Sequence, residues 1–159
     1  MHQSERLIFR PLEKSDAERL FEIYSDVEAM KYRQVEAHKN IKDTYEMLSR
    51  DKEMSQLKKE IRFGVIKKDT NDLIGSFMYQ PLDNKALIGY SLSKEEWGNG
   101  FATEIVEWLV SYLKNEKFTL LEAWVMNENI KSSKVLIKNN FNLISQTIYP
   151  NSKYYQKYL

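Results

Sequence analysis

Two of the chain's five glycines fall in one short stretch, Trp97-Gly98-Asn99-Gly100-Phe101-Ala102. The stretch leaves a β-rich run and opens a helical one. Backbone amides freed at such a turn, together with the positive end of the helix dipole, make an anion site. Glycine at two positions lets the backbone come close to a bulky pyrophosphate. A plain loop that starts a helix would spell the same letters, so the stretch alone leaves both readings open. Two better-known phosphate loops are set aside. A Walker loop needs Gly-Lys-Ser/Thr, and no lysine follows Gly100. A dinucleotide fold places its glycines after the first strand of a βαβ unit, whereas these follow a run of strands.

The missing residue types narrow the chemistry further. There is no cysteine, which removes disulfides, thiolate nucleophiles and Cys-based zinc sites. Only His2 and His38 are present, far apart, so a His-rich metal site or a Ser-His-Asp triad has almost nothing to be built from. The 24 Lys+Arg and 23 Asp+Glu leave a formal charge of +1, and a nucleic-acid binder driven by bulk charge is disfavoured. No apolar run of about 18 residues suggests a membrane span. Met1 to Arg10 lacks the apolar core of a signal peptide. The expectation is a soluble cytoplasmic protein with no metal and no nucleic-acid or membrane partner.

The elements that must position the glycine stretch follow from periodicity. At 159 residues, with 42% hydrophobic and 13% aromatic residues, the chain fills one core, and no linker divides it, so residues 1–159 read as one domain. Arg6 to Arg10 reads as a first strand closed by Pro11. Ser15-Asp16 starts a helix with Ala17, Leu20, Phe21 and Tyr24 at helical spacing. A second helix runs from about Asn40 to Gln56, with Ile41, Tyr45 and Leu48 on one face and Lys42, Glu46, Arg50 and Glu53 on a solvated one. Ile61 to Ile66, Leu73 to Tyr79 and Ala86 to Leu92 form an antiparallel meander with turns at Asp69–Asp72 and Pro81–Asn84. Ala102 to Leu113 is a helix and Leu120 to Met126 a strand. Asn129 caps a last helix that ends at Asn139-Asn140. Phe141 to Tyr149 and Lys153 to Tyr158 close the chain as strands. The order β-α-α-β-β-β-α-β-α-β-β is a mixed α/β fold, a sheet with helices on its faces.

Arg6-Leu7-x-x-Arg10-Pro11, Asp16-Ala17, Ile88-Gly89-Tyr90 and Trp97-Gly98-Asn99-Gly100-Phe101-Ala102-Thr103-Glu104 occur here in that order. Glu122-Ala123-x-Val125-x-x-x-Asn129-x-x-Ser132-x-x-Val135-Leu136, ending in Phe141, follows. In order and spacing these motifs resemble the GCN5-related N-acetyltransferase (GNAT) superfamily, in the branch of ribosomal-protein N-terminal alanine and serine acetyltransferases. The likeness spans residues 5 to 145. It implies a central, mostly antiparallel sheet that splays where two adjacent parallel strands, ending near Leu92 and Met126, hold acetyl-CoA.

By that resemblance the amides of Gly98, Asn99, Gly100, Phe101 and Ala102, with Thr103, receive the pyrophosphate, and no metal is needed. Backbone groups around Tyr90 and Leu92 pair with the pantetheine arm and face the thioester oxygen. Trp97 stands where the family usually has Arg or Gln, packing under the loop, and Asn129 both caps its helix and contacts the cofactor. The acceptor is an amine, a protein N-terminus or a small molecule, attacking directly in a ternary complex. Glu122 is the candidate base and Ser132 the candidate acid, because the family's usual tyrosine is replaced by Leu136 and its alternative base position by Leu87. Glu122 could equally be a salt-bridged structural group, and Ser132 a cap. Tyr24 and Tyr32 are candidates for the acceptor wall. A homodimer is compatible with the family, though no sequence feature fixes it. A non-catalytic acyl-CoA-binding module on the same fold is the alternative.

Overall fold

The computed structural model describes residues 1–33, 35–146 and 149–159. The middle of the sheet is β3 (Ile61–Lys67), β4 (Leu73–Leu82) and β5 (Lys85–Leu92), paired antiparallel in sequence order, with unbroken buried stretches in β3 and β4 because both faces are covered. β1 (His2–Gln3) and β2 (Leu7–Arg10) extend this meander on the β3 side. On the other side β6 (Leu120–Met126) runs parallel to β5, and β8 (Ser152–Tyr158) inserts between β6 and β7 (Asn142–Ser145). The result is an open eight-stranded mixed sheet in the order β1-β2-β3-β4-β5-β6-β8-β7.

Helices cover both faces. α4 (Phe101–Asn115) and α5 (Ile130–Lys138) pack on one of them. There Ile105, Val106, Leu109 and Leu113 meet Phe9, Val65, Phe77, Leu121 and Val125 in the main core. Each such fully buried side chain contributes roughly 1.5–3 kcal/mol. α1 (Ala17–Tyr24), the one-turn α2 (Val27–Met30) and α3 (Ile41–Gln56) cover the other face, where Leu20, Ile23, Tyr24 and Met30 pack on Ile66 and Leu73.

Four sequence expectations change. β4 continues through Pro81 to Leu82, because β3 ends at Ile61 opposite Tyr79 and leaves Pro81 with a strand neighbour only on the β5 side, a position where a missing N–H is tolerated. α2 was not expected; Asp26 starts it by accepting from the amides of Glu28 and Ala29 at 2.9 and 3.1 Å. The inward face of α3 is Thr44, Met47, Leu48 and Asp51, while Ile41 and Tyr45 are exposed. A polar seam orients that helix: Arg62 lies 3.3 Å from Asp51 and 2.9 Å from Glu60, and Arg50 reaches Glu60 at 3.5 Å, so Arg50 is not simply solvated. Finally, the strand expected over Phe141 to Tyr149 is described only over Asn142–Ser145, and residues 147 and 148 lie outside the described residues.

Candidate active site

The parallel pair β5–β6 is short. It has three rungs, Lys85↔Leu120, Ala86↔Leu121 and Leu87↔Glu122. Past them β5 stays with β4 as far as Leu92, and β6 stays with β8 as far as Met126. The two strands therefore part just beyond Glu122. A cavity of about 410 Å³ lies against the freed end of β5. Its walls are Tyr90, Ser91 and Leu92 from β5, most of the loop from Glu96 to Thr103, the start of α5 with Asn129 and Ser132, and Ala29, Tyr32 and Arg33 beside α2.

The loop that enters α4 has a fixed and unusual shape. Gly98 and Gly100 both take φ +80°, a left-handed conformation that strains side-chain-bearing residues. Trp97 turns its indole N–H back onto the Leu92 carbonyl at 3.1 Å, so it secures the loop to β5, and the Asn99 side chain donates to the Glu96 carbonyl at 3.3 Å. Gly100 starts the helix without a side-chain cap. The Glu104 amide reaches the Gly100 carbonyl at 3.1 Å, but the earlier amides of the first turn have no acceptor within the helix. A Cβ on Gly98 would meet nothing within 4 Å. Open, uncapped amides at the positive end of a four-turn helix are a fit for a phosphate chain. Glu96 lines the cavity and lies 3.4 Å from Lys67.

Arg6 braces this loop across the whole chain. Its guanidinium donates to the Asn99 carbonyl at 2.9 Å and to Glu104 at 2.7 Å, and stands 4.4 Å over the Phe101 ring. The Arg6 amide and the Ser4 hydroxyl also donate to Glu104, both at 2.7 Å. Burial opposes the charge on Glu104, but these donors outweigh it and hold its carboxyl below the usual range. Glu104→Ala is expected to cost about 1 kcal/mol in urea denaturation, since it frees three donors of which the two on Arg6 lie within reach of water. A carboxyl whose folded pKa is lowered stabilises above its unfolded value of about 4.3, and that contribution fades as pH falls through the folded value. The gap between wild type and variant should therefore shrink in acid. An equal midpoint at neutral pH would remove the brace.

On the far wall Asn129 caps α5 by accepting from the Ser132 amide at 3.2 Å. The Ser132 hydroxyl lies 2.7 Å from that of Tyr90, whose phenol burial pushes up to about 12. Leu136 is fully buried in the core. Glu122 does not line the cavity; its Oε1 accepts from the Tyr154 hydroxyl at 2.6 Å and lies 3.7 Å from Lys85. Tyr32 reaches the cavity, whereas Tyr24 is wholly buried behind it, its hydroxyl 2.6 Å from that of Ser76. Asn99 contributes to the loop but is not on the cavity wall. Sequence reasoning gave no part in the loop to Arg6 and Glu104, since pairs separated by about a hundred positions carry no periodic signal. Lys131 and Lys134, three apart on α5, also line the cavity; sequence reasoning passed them over, though their helical spacing was a local signal.

The chain matches the model of the acetyltransferase (GNAT) domain over residues 6–142. It is 32% identical over 160 aligned residues, 96% of this chain and 90% of the relative, to YoaA, an uncharacterized N-acetyltransferase of Bacillus subtilis (strain 168). A GNAT-family acetyltransferase structure from Bacillus anthracis superposes with a TM-score of 0.86 at 23% identity, covering 98% of this chain and 96% of that one. Spermidine N-acetyltransferase from Vibrio cholerae, solved with CoA and spermine, gives 0.80 at 18%, covering 97% and 95%. Among the described residues no helix is long and apolar enough to cross a membrane.

Proposed function

Because the chain belongs to the GNAT acetyltransferase family, we propose that it transfers an acetyl group from acetyl-CoA to a primary amine by direct attack in a ternary complex. One observation carries the reading: the β5–β6 ladder stops after three rungs beside the left-handed turn at Gly98 and Gly100. A strand edge freed inside a sheet suits an extended amide-bearing arm, and the adjoining open helix end suits its phosphates. As a substrate, acetyl-CoA supplies the activated thioester.

The chain's own residues do the rest. The amides of Gly98, Asn99, Gly100, Phe101, Ala102 and Thr103 hold the pyrophosphate over the Trp97 support, and Asn129 contributes from the head of α5. Backbone groups of Tyr90 and Leu92 hold the arm, and an amide there meets the charge that develops on the thioester oxygen. Glu122 takes the proton of the attacking ammonium. Its position off the cavity wall makes this a transfer through water, and the Tyr154 hydroxyl fixes its orientation. Ser132, steered by Tyr90, returns a proton to the departing thiolate. No cysteine is present to carry an acetyl thioester on the protein, which favours the direct route.

The buried Leu136 at the family's tyrosine position favours a second reading, a module that binds acyl-CoA without turning it over. Thiol release from acetyl-CoA across N-terminal peptides, amino acids, polyamines and aminoglycosides separates the two, with binding followed by calorimetry. Saturable release with one amine class supports the enzyme. Tight binding with no release throughout supports the module, and no binding sinks both.

A further inference from the structure

Resting on the acetyltransferase reading, we propose that the acceptor is an amine that also carries an anionic oxygen group, a carboxylate or a phosphate, and that Arg33 receives this group. Arg33 follows α2 and lines the cavity together with Tyr32, facing the same space as Ser91 and Leu92 at the end of β5. That segment is tied to the β5 end, because Lys94 reaches Asp26 at 2.9 Å and Glu28 at 3.8 Å.

The guanidinium lies 4.8 Å over the ring of Tyr24, which is fully buried and held through its hydroxyl to Ser76. Stacking occupies the face of a guanidinium and leaves its in-plane N–H groups to meet an oxygen pair. Among the described residues Arg33 has no carboxylate partner, and its Nη1 is buried without a hydrogen bond. A buried donor left without an acceptor is costly, and an oxygen group brought to this guanidinium would relieve that cost.

The surrounding charges agree. The carboxylates nearest in sequence are engaged elsewhere: Glu36 with Lys39, and Asp26 and Glu28 with Lys94. Among the described residues Glu96 is the one carboxylate on the cavity wall and sits by Lys67, while Arg33, Lys131 and Lys134 bring cations to the same wall. Lys131 lies 5.0 Å over Trp97, on the loop that takes the coenzyme's phosphates, which leaves Arg33 for the acceptor. A polyamine would place its further ammonium groups before an unpaired guanidinium, and Glu96, the wall's carboxylate among the described residues, already sits by Lys67. A single amine bearing an anion is matched at both ends.

The test uses matched acceptors on the full chain: amino acids against their amides, phosphoethanolamine against ethanolamine, and a peptide with Asp at its second position against the same peptide with Asn. In at least one pair the anionic member should be favoured in kcat/KM by about 10–100-fold, and Arg33→Gln should abolish the preference by raising the acceptor KM. Arg33→Lys should restore part of it. The acetyl-CoA dissociation constant should stay within about twofold, a 1.4 kcal/mol change being tenfold. Which pair responds separates carboxylate from phosphate. Turnover with spermidine as the best acceptor, or with no preference in any pair, overturns the assignment and leaves the acetyltransferase intact. An Arg33→Gln effect confined to acetyl-CoA affinity overturns it too, giving the arginine to the coenzyme. Binding of acetyl-CoA with no turnover of any amine removes the acetyltransferase reading and this inference with it.

Discussion

Gly100→Glu is expected to raise the dissociation constant for acetyl-CoA by about 100-fold or more, a loss of about 2.7 kcal/mol. Two effects add. The residue holds φ +80°, where a side chain costs about 1–2 kcal/mol, so the loop resists the shape that opens its amides. The new carboxylate also stands at the positive end of α4, near Arg6, whose Nη2 lies 3.5 Å from where a Cβ would sit. It is welcome there electrostatically, which favours an intact fold, and it neutralises the field that would attract the pyrophosphate. Gly100→Ala separates the two, since it carries the strain without the charge and should weaken binding only several-fold. Calorimetry with acetyl-CoA, alongside circular dichroism, reads both. Unchanged affinity in a folded Gly100→Glu protein would take the phosphate chain away from this loop.

Glu122→Gln is the second large expectation: kcat falls by about 100-fold or more while acetyl-CoA binds as before. An amide cannot take up the ammonium proton, yet its oxygen still accepts from Tyr154, so the β6–β8 contact survives. The same substitution tests the plainer role. If Glu122 only anchors Tyr154 and Lys85, turnover stays and the melting temperature moves instead.

What could be read in advance divides along physical lines. The glycine stretch, the α4 stripe of Ile105, Val106, Leu109 and Leu113, and the Asn129 cap are local patterns, and period or spacing within a few residues reveals them. The turn at Asn140, with φ +62°, belongs to the same class. Contacts between distant segments were not legible. The Arg6–Glu104 brace joins the residue before β2 to α4, and the polar seam that turned α3 joins Asp51 to Arg62, so a helix face chosen by apolar spacing alone came out rotated. Pro81 misled for a related reason: a proline ends a strand unless the sheet offers it an unpaired edge, and that edge exists only because β3 is shorter than β4. Within the site, Tyr24 read as a contact residue, whereas the structure places it one layer behind, under Arg33.

The three-rung seam has a mechanical consequence. It divides the sheet into two leaves, β1 to β5 and β6 to β8, joined along one short line. From that line to Leu92 the arm runs about 16 Å at 3.3 Å per residue, so a rotation of about 5° displaces its tip by about 1.4 Å. Helices stand on both leaves. Each carries its own helix, α4 following β5 and α5 following β6, and the Asn139 side chain donates to the Thr103 carbonyl at 3.3 Å, a latch from one arm to the other. The span between the freed ends of β5 and β6 is then set by the angle between the two leaves and by this contact as much as by any side chain at the seam.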